Sequence, residues 1–181
     1  MKKSLTVFIL LAVVYLTGCS EEKVKPPVKS INLSEAPSQE SWNSTITFTD
    51  SGKIQAIVTT GHIRIFTTGA YTLLDSSVQV DFHDEKEVKT TTLTSKWAKV
   101  DDRTKDIYAF RDVKVVNDSG MVLETEMLMW RNSDGKIVSD KFVKIDTKEE
   151  QIEGYGFESD QALRNYKIFK VTLVTASTKL D

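Results

Sequence analysis

Cysteine is nearly absent from this chain of 181 residues; the single one is Cys19. That excludes a disulfide framework and any metal site built on several thiolates. Histidine is scarce as well, with only His62 and His83, so a His-based centre has little to draw on. Charge of one sign is missing: 24 Lys and Arg stand against 26 Asp and Glu. Such balance leaves no electrostatic footprint for nucleic acid, which is not expected as a partner. Proline stops early, since Pro26, Pro27 and Pro37 are the only three. No apolar run reaches the ~20 residues that a membrane-spanning helix needs. What is left has ordinary apolar content and a length suited to one domain.

The start of the chain reads as an address. Lys2 and Lys3 precede an apolar run over residues 5–16, which then meets Leu16-Thr17-Gly18-Cys19. Basic, apolar and small-residue segments in that order make a secretory signal. The last four residues resemble the bacterial lipobox. That resemblance implies cleavage before Cys19, lipidation of its sulfur and a tether to a membrane. Residues 1–18 are therefore expected as signal peptide. Residues 19–40, rich in Lys, Glu, Ser and Pro without a periodic apolar face, are expected as a flexible linker. Residues 41–175 form the predicted domain and 176–181 a short tail.

Past Trp42 there is no proline, and Thr, Val, Ile and aromatic residues abound. Alternation recurs in Ile46-Thr47-Phe48-Thr49, Val78-Gln79-Val80-Asp81-Phe82, Val113-Lys114-Val115 and Val143-Lys144-Ile145. Turn signals such as Asn117-Asp118-Ser119-Gly120 and Asn132-Ser133-Asp134-Gly135 fall between. Short strands with frequent turns predict an all-β domain, a sandwich, jelly roll or barrel. Helix is nearly absent; residues 159–165 make one short turn at most.

An internal repeat sharpens this. Residues 93–115 shifted by 30 fall on residues 123–145 without gaps: Leu93 meets Leu123, Val100 meets Trp130, Ile107 meets Ile137 and Val115 meets Ile145. A smaller unit, Ile followed two residues later by a small residue, recurs as Ile54/Ala56, Ile107/Ala109, Ile137/Ser139 and Ile152/Gly154. A stack of equivalent hairpins explains both, because one hairpin cannot bury its apolar face alone. The residues expected to face inward are Ile54, Ala56, Val78, Val80, Phe82, Leu93, Ala98, Val100, Ile107, Ala109, Val113, Val115, Leu123, Ile137, Val143, Ile145 and Ile152. The small ones leave room between two facing walls. Bulkier neighbours fill that room, or it is an apolar groove for a long ligand; spacing alone leaves both open.

Chemical motifs are lacking. No Ser-centred nucleophile elbow, phosphate-cradling Gly-rich loop or HExxH zinc motif occurs. His62 lies in an apolar strand pattern and His83 in a charged turn. The acidic groups Asp84-Glu85 and Glu149-Glu150 lack a Ca²⁺ loop pattern. A non-enzyme without metal or cofactor is expected.

Three segments carry a resemblance: Thr94-Ser95-Lys96-Trp97-Ala98-Lys99-Val100-Asp101, Val122-Leu123-Glu124-Thr125-Glu126, and Ile152-Glu153-Gly154-Tyr155-Gly156-Phe157-Glu158-Ser159-Asp160. In this order and spacing the chain resembles LptC, the periplasmic component of lipopolysaccharide export, related to the OstA-like proteins. The resemblance implies an open, twisted β-jellyroll of two facing antiparallel sheets whose inward residues hold lipopolysaccharide acyl chains. Gly154, Gly156 and Phe157 correspond to the family's signature before the last strand. Implied partners are the periplasmic domains of an inner-membrane ABC transporter at one edge. At the other edge, marked by Ile168, Phe169 and Val171, the implied partner is a periplasmic bridge protein of similar fold. The expected location is the periplasm, lipid-anchored to a membrane, the inner one ahead of the outer. One departure stands out: typical members begin with a transmembrane helix, where this chain offers Cys19.

Overall fold

The computed structural model describes residues 36–176. The expected signal peptide, Cys19, most of the expected linker and nearly all of the expected tail lie outside these residues. Strands follow one another with no helix among the described residues: β1 (Gln39–Asp50), β2 (Lys53–Phe66), β3 (Tyr71–Asp75), β4 (Val78–His83), β5 (Lys89–Ser95), β6 (Trp97–Asp101), β7 (Ile107–Asn117), β8 (Val122–Arg131), β9 (Lys136–Asp146), β10 (Glu150–Ser159) and β11 (Tyr166–Ala176). Residues 160–165 form an irregular loop.

Every pairing is antiparallel, and the long strands are bent. The first half of β7 pairs with β6 and its second half with β5. Likewise the first half of β2 pairs with β4 and its second half with β3. So β3 and β4 are two halves of one kinked pass, and so are β5 and β6. The kinks line up as one spine. Asn43, Ser76, Ser77, Arg111, Asp112 and Gly156 all take positive φ there, and register shifts mark the same line in β7, β8 and β10. Bulges bend strands and raise their twist. A row of them folds the sheet in two.

The all-β jellyroll expected from sequence is therefore present, with one refinement. Its two facing walls are not separate sheets but the halves of a single eleven-stranded sheet folded along the spine. The front wall carries the β2 residues after Gly61, β3, β6, the start of β7, the end of β8, the start of β9 and the end of β10. The back wall carries the complementary halves.

Side chains that oppose one another in an antiparallel pair share a face. In the back wall this gives a continuous inner ladder: Ile46, Val58, Val80, Leu93, Val115, Leu123, Ile145, Ile152 and Val174. The front wall answers with Ile65, Thr72, Val100, Ile107, Trp130, Ile137, Ser159 and Tyr166. The repeat now has a structural meaning. A shift of 30 residues moves Leu93 to Leu123 and Val100 to Trp130, two strands further along each ladder. Most rungs are fully buried; at ~1.5–3 kcal/mol for each large aliphatic side chain, they dominate the stability of the fold.

Candidate functional site

The space between the walls is the one feature that every strand helps to build. Of the residues expected to face inward, all are buried there except Ile54, which is half-buried beside the β1–β2 turn. Sequence reasoning missed Ile46, Phe48, Ile63, Ile65, Leu74, Leu128, Trp130 and Leu163, which pack in the same interior.

The room left by small residues is partly filled. Ala56 lies between Phe48 and Phe82 in neighbouring strands. Both rings reach Trp130 on the facing wall, Phe48 edge-on at 5.9 Å and Phe82 tilted at 5.7 Å between centroids. In the front wall the neighbours Ala98 and Ala109 are flanked by Leu74 and Leu128. Beyond Phe48, at the β1 end, space remains: a cavity of about 480 Å³ lined by Ile46, Phe48, Ile63, Ile65 and Val100 together with the polar Thr47, Thr49, Thr72, Asp102 and Lys105.

Opposite the spine, the mouth between the walls is crossed by the loop of residues 160–165. Thr91 Oγ1 donates to the Gln161 carbonyl at 2.6 Å, and Asn117 Nδ2 donates to the Ala162 carbonyl at 3.0 Å. Arg164 pairs with Asp118 at 2.8 Å. Leu163 of this loop, at positive φ, is buried in the interior. The loop thus straps the front wall to the back wall. Around it lies a polar cleft that includes His83, Asp134, Lys136, Glu158 and Lys167, where Lys136 holds Glu158 at 2.5 Å.

The two ends of the roll are unpaired edges. At the β11 end the inward row is Tyr166, Ile168, Val171 and Val174, following their partners Ser159, Phe157, Gly154 and Ile152. Val171 and Val174 are 51% and 56% exposed because no further strand covers them. Phe169 differs from Ile168 and Val171: it stands opposite the Gly156 kink, with Lys167 Nζ 5.2 Å from its ring centroid. The three residues expected to mark this edge therefore do not share one face. Gly154, Gly156 and Phe157 are brought together on β10, with Phe157 buried against Tyr166. At the β1 end, Trp42 is exposed and stacks on His62 at 5.1 Å. The His62 ring contacts Asp75 through Nδ1 at 3.2 Å and Glu40 through Nε2 at 3.3 Å.

This geometry is a packed apolar interior between two walls, with a cavity at the β1 end and inward side chains left uncovered at the β11 end. Among the described residues no three His, Cys, Asp or Glu side chains converge as metal ligands would. The chain matches the family model for lipopolysaccharide-assembly, LptC-related proteins over residues 5–173. It belongs to the LptC family. No curated protein matches it. As an LptC-related protein its role lies in lipopolysaccharide transport, as a periplasmic component. The match takes in the apolar run and Cys19 as well as every rung of the two ladders but Val174.

The carboxylates of this LptC protein give its stability a pH dependence. Burial pushes Asp75 upward, but hydrogen bonds from Ser76, Arg64 and His62 outweigh it and hold the group below its ordinary 3.8. Backbone N–H groups of Arg103 and Thr104 lower Asp101, and the Val88 N–H lowers Asp84; both cap hairpin turns. Arg131 lowers Asp134, and Lys136 lowers Glu158. A carboxylate depressed in the folded state stabilises it above the unfolded value, and that contribution is lost as pH falls through the folded value. The carboxylate contribution is expected to be full at neutral pH. It declines as pH drops past about 4, as thermal denaturation at a series of pH values checks.

Proposed function

We propose that this protein binds lipopolysaccharide acyl chains between its two walls and passes them along the ladder from the β1 end to the β11 end. The observation that carries the reading is the inner ladder from Ile46 to Val174, apolar on every rung and uncovered at its last. Burial of apolar area at roughly 25 cal/mol per Å² holds such chains without any bond being made or broken. In this reading a lipid on Cys19 tethers the protein to the inner membrane, and the β1 edge receives lipopolysaccharide from the periplasmic domains of an ABC transporter. The β11 edge adds strand to strand onto a periplasmic bridge protein of similar fold; unpaired sheet edges are ready for such pairing.

The packed middle, where Phe48 and Phe82 meet Trp130, favours a second reading: a lipoprotein scaffold with a dry core. Transit past these side chains needs the walls to part at the mouth, where the strap of residues 160–165 closes them. Photo-crosslinking separates the two readings. Ala109 is buried on the inner face and Tyr108, next to it, points outward. A crosslinker at position 109 is expected to capture lipopolysaccharide in cells and one at position 108 is not. Equal capture at both positions, or at neither, would leave the scaffold.

A further inference from the structure

Three buried side-chain nitrogens have no hydrogen-bond partner among the described residues: Arg64 Nε, His83 Nδ1 and Trp130 Nε1. Arg64 and His83 are only half-buried and reach water through other atoms. Trp130 is different, being 2% exposed and set between Ile107 and Ile137 on the inner ladder. Its indole N–H is a donor and nothing else. Leaving such a donor unpaired in an apolar core is unfavourable, and Phe in its place carries no such cost. An unsatisfied buried polar group in a native fold calls for a reason.

The surroundings supply one. The rings that Trp130 meets across the interior are Phe48 and Phe82, which offer an N–H a weak π contact at most and no oxygen or nitrogen acceptor. Phe48 is half-buried on the edge strand β1 and separates Trp130 from the cavity at the β1 end. Phe48 is shared by the cavity lining and the surroundings of the indole, so a ligand in the cavity would reach the indole by displacing that ring. A saturated chain entering there satisfies the apolar lining but not the N–H. An acyl chain does both, because it brings a carbonyl oxygen.

We infer that Trp130 recognises the head of an acyl chain: its indole N–H donates to the carbonyl oxygen of an ester- or amide-linked chain lying in the interior. This rests on the acyl-chain reading of the interior. It adds that the hollow selects acyl chains over plain hydrocarbon and sets their depth.

The test follows the indole proton of Trp130 by NMR in the full chain. Trp42→Phe and Trp97→Phe assign the signal by elimination, since the chain has three Trp. Lipopolysaccharide is expected to move the Trp130 indole proton downfield, and dodecane, which fills the space without an acceptor, to leave it in place. Trp130→Phe is expected to bind lipopolysaccharide about five-fold more weakly, the worth of one neutral hydrogen bond. Lipopolysaccharide binding with an unmoved indole proton overturns the inference and leaves the groove reading intact. So does equal movement with dodecane, or unchanged affinity in a folded Trp130→Phe protein. If the unaltered protein does not bind lipopolysaccharide, the groove reading itself falls and this inference with it.

Discussion

Leu123→Ala is expected to lower the unfolding free energy by about 3–4 kcal/mol and the thermal midpoint by roughly ten degrees. Leu123 has no exposed surface and lies on the back-wall ladder between Val115 and Ile145. Truncation there removes buried methyl groups and opens a cavity that two neighbouring strands, each tied into the ladder, cannot collapse to fill. Leu93, its equivalent in the 30-residue repeat, occupies the same environment two strands earlier, so Leu93→Ala is expected to cost a similar amount. Val116 on the outer face is the control: it is 36% exposed, and its truncation is expected to change stability by less than about 0.5 kcal/mol. Urea denaturation of the three variants checks the order. A loss below about 1 kcal/mol at Leu123 would mean that the ladder lines an open space there, so the same measurement bears on whether the middle of the roll is packed or hollow at rest.

The repeat made the ladders legible, because a shift of 30 residues in sequence is a step of two strands in space. Alternation worked within each wall and failed at the spine. Along β8, Leu123 faces inward, and strict alternation would continue through Met127 and Met129. Across the spine β8 runs one residue shorter than β7 and β9, so Leu128 and Trp130 face inward instead and the two methionines turn outward. The same slip beyond Gly61 hid Ile63 and Ile65 from a reading that started at Ala56. On β7 the kink spans Arg111 and Asp112, two residues, and alternation survives it; Ala109 and Val113 were both placed correctly. The spine escaped notice because Arg111, Asp112, Ser76, Ser77 and Asn43 hold positive φ without being glycine. Leu163 had no signal at all: its loop is held in place through the Gln161 and Ala162 carbonyls, which accept from Thr91 and Asn117 far away in the chain.

Gly154→Val is expected to release β11. An ordinary Cβ at Gly154 would stand too close to the carbonyl oxygen of Lys170 and 2.6 Å from Ile168 Cγ2. A backbone atom cannot swing aside as a side chain does, so β11 must move away from β10. The bulge that offsets Glu153 from Gly154 against β11 brings the two strands together at this point, and glycine is what permits it. Gly156 provides the contrast. It needs its φ of +75°, but what a Cβ would meet there is the Phe169 ring at 2.9 Å, which can turn outward. Gly156→Ala is therefore expected to cost the ~1–2 kcal/mol of a left-handed residue with a side chain and to keep β11 in place. Gly154→Val is expected to cost at least about 2 kcal/mol, and the loss is local. Hydrogen exchange should show β11 amides unprotected while β7 and β8 keep their protection. The consequence reaches past stability. Without β11 the last rungs, Val174 and Tyr166, leave the ladders, and β10 becomes the edge. If the C-terminal edge is where a protein of similar fold adds its strand, Gly154→Val abolishes that docking while lipid capture at Ala109 persists. Protection retained along β11 in the variant would show that the strand accommodates a side chain at position 154, and that close approach is not what the glycine provides.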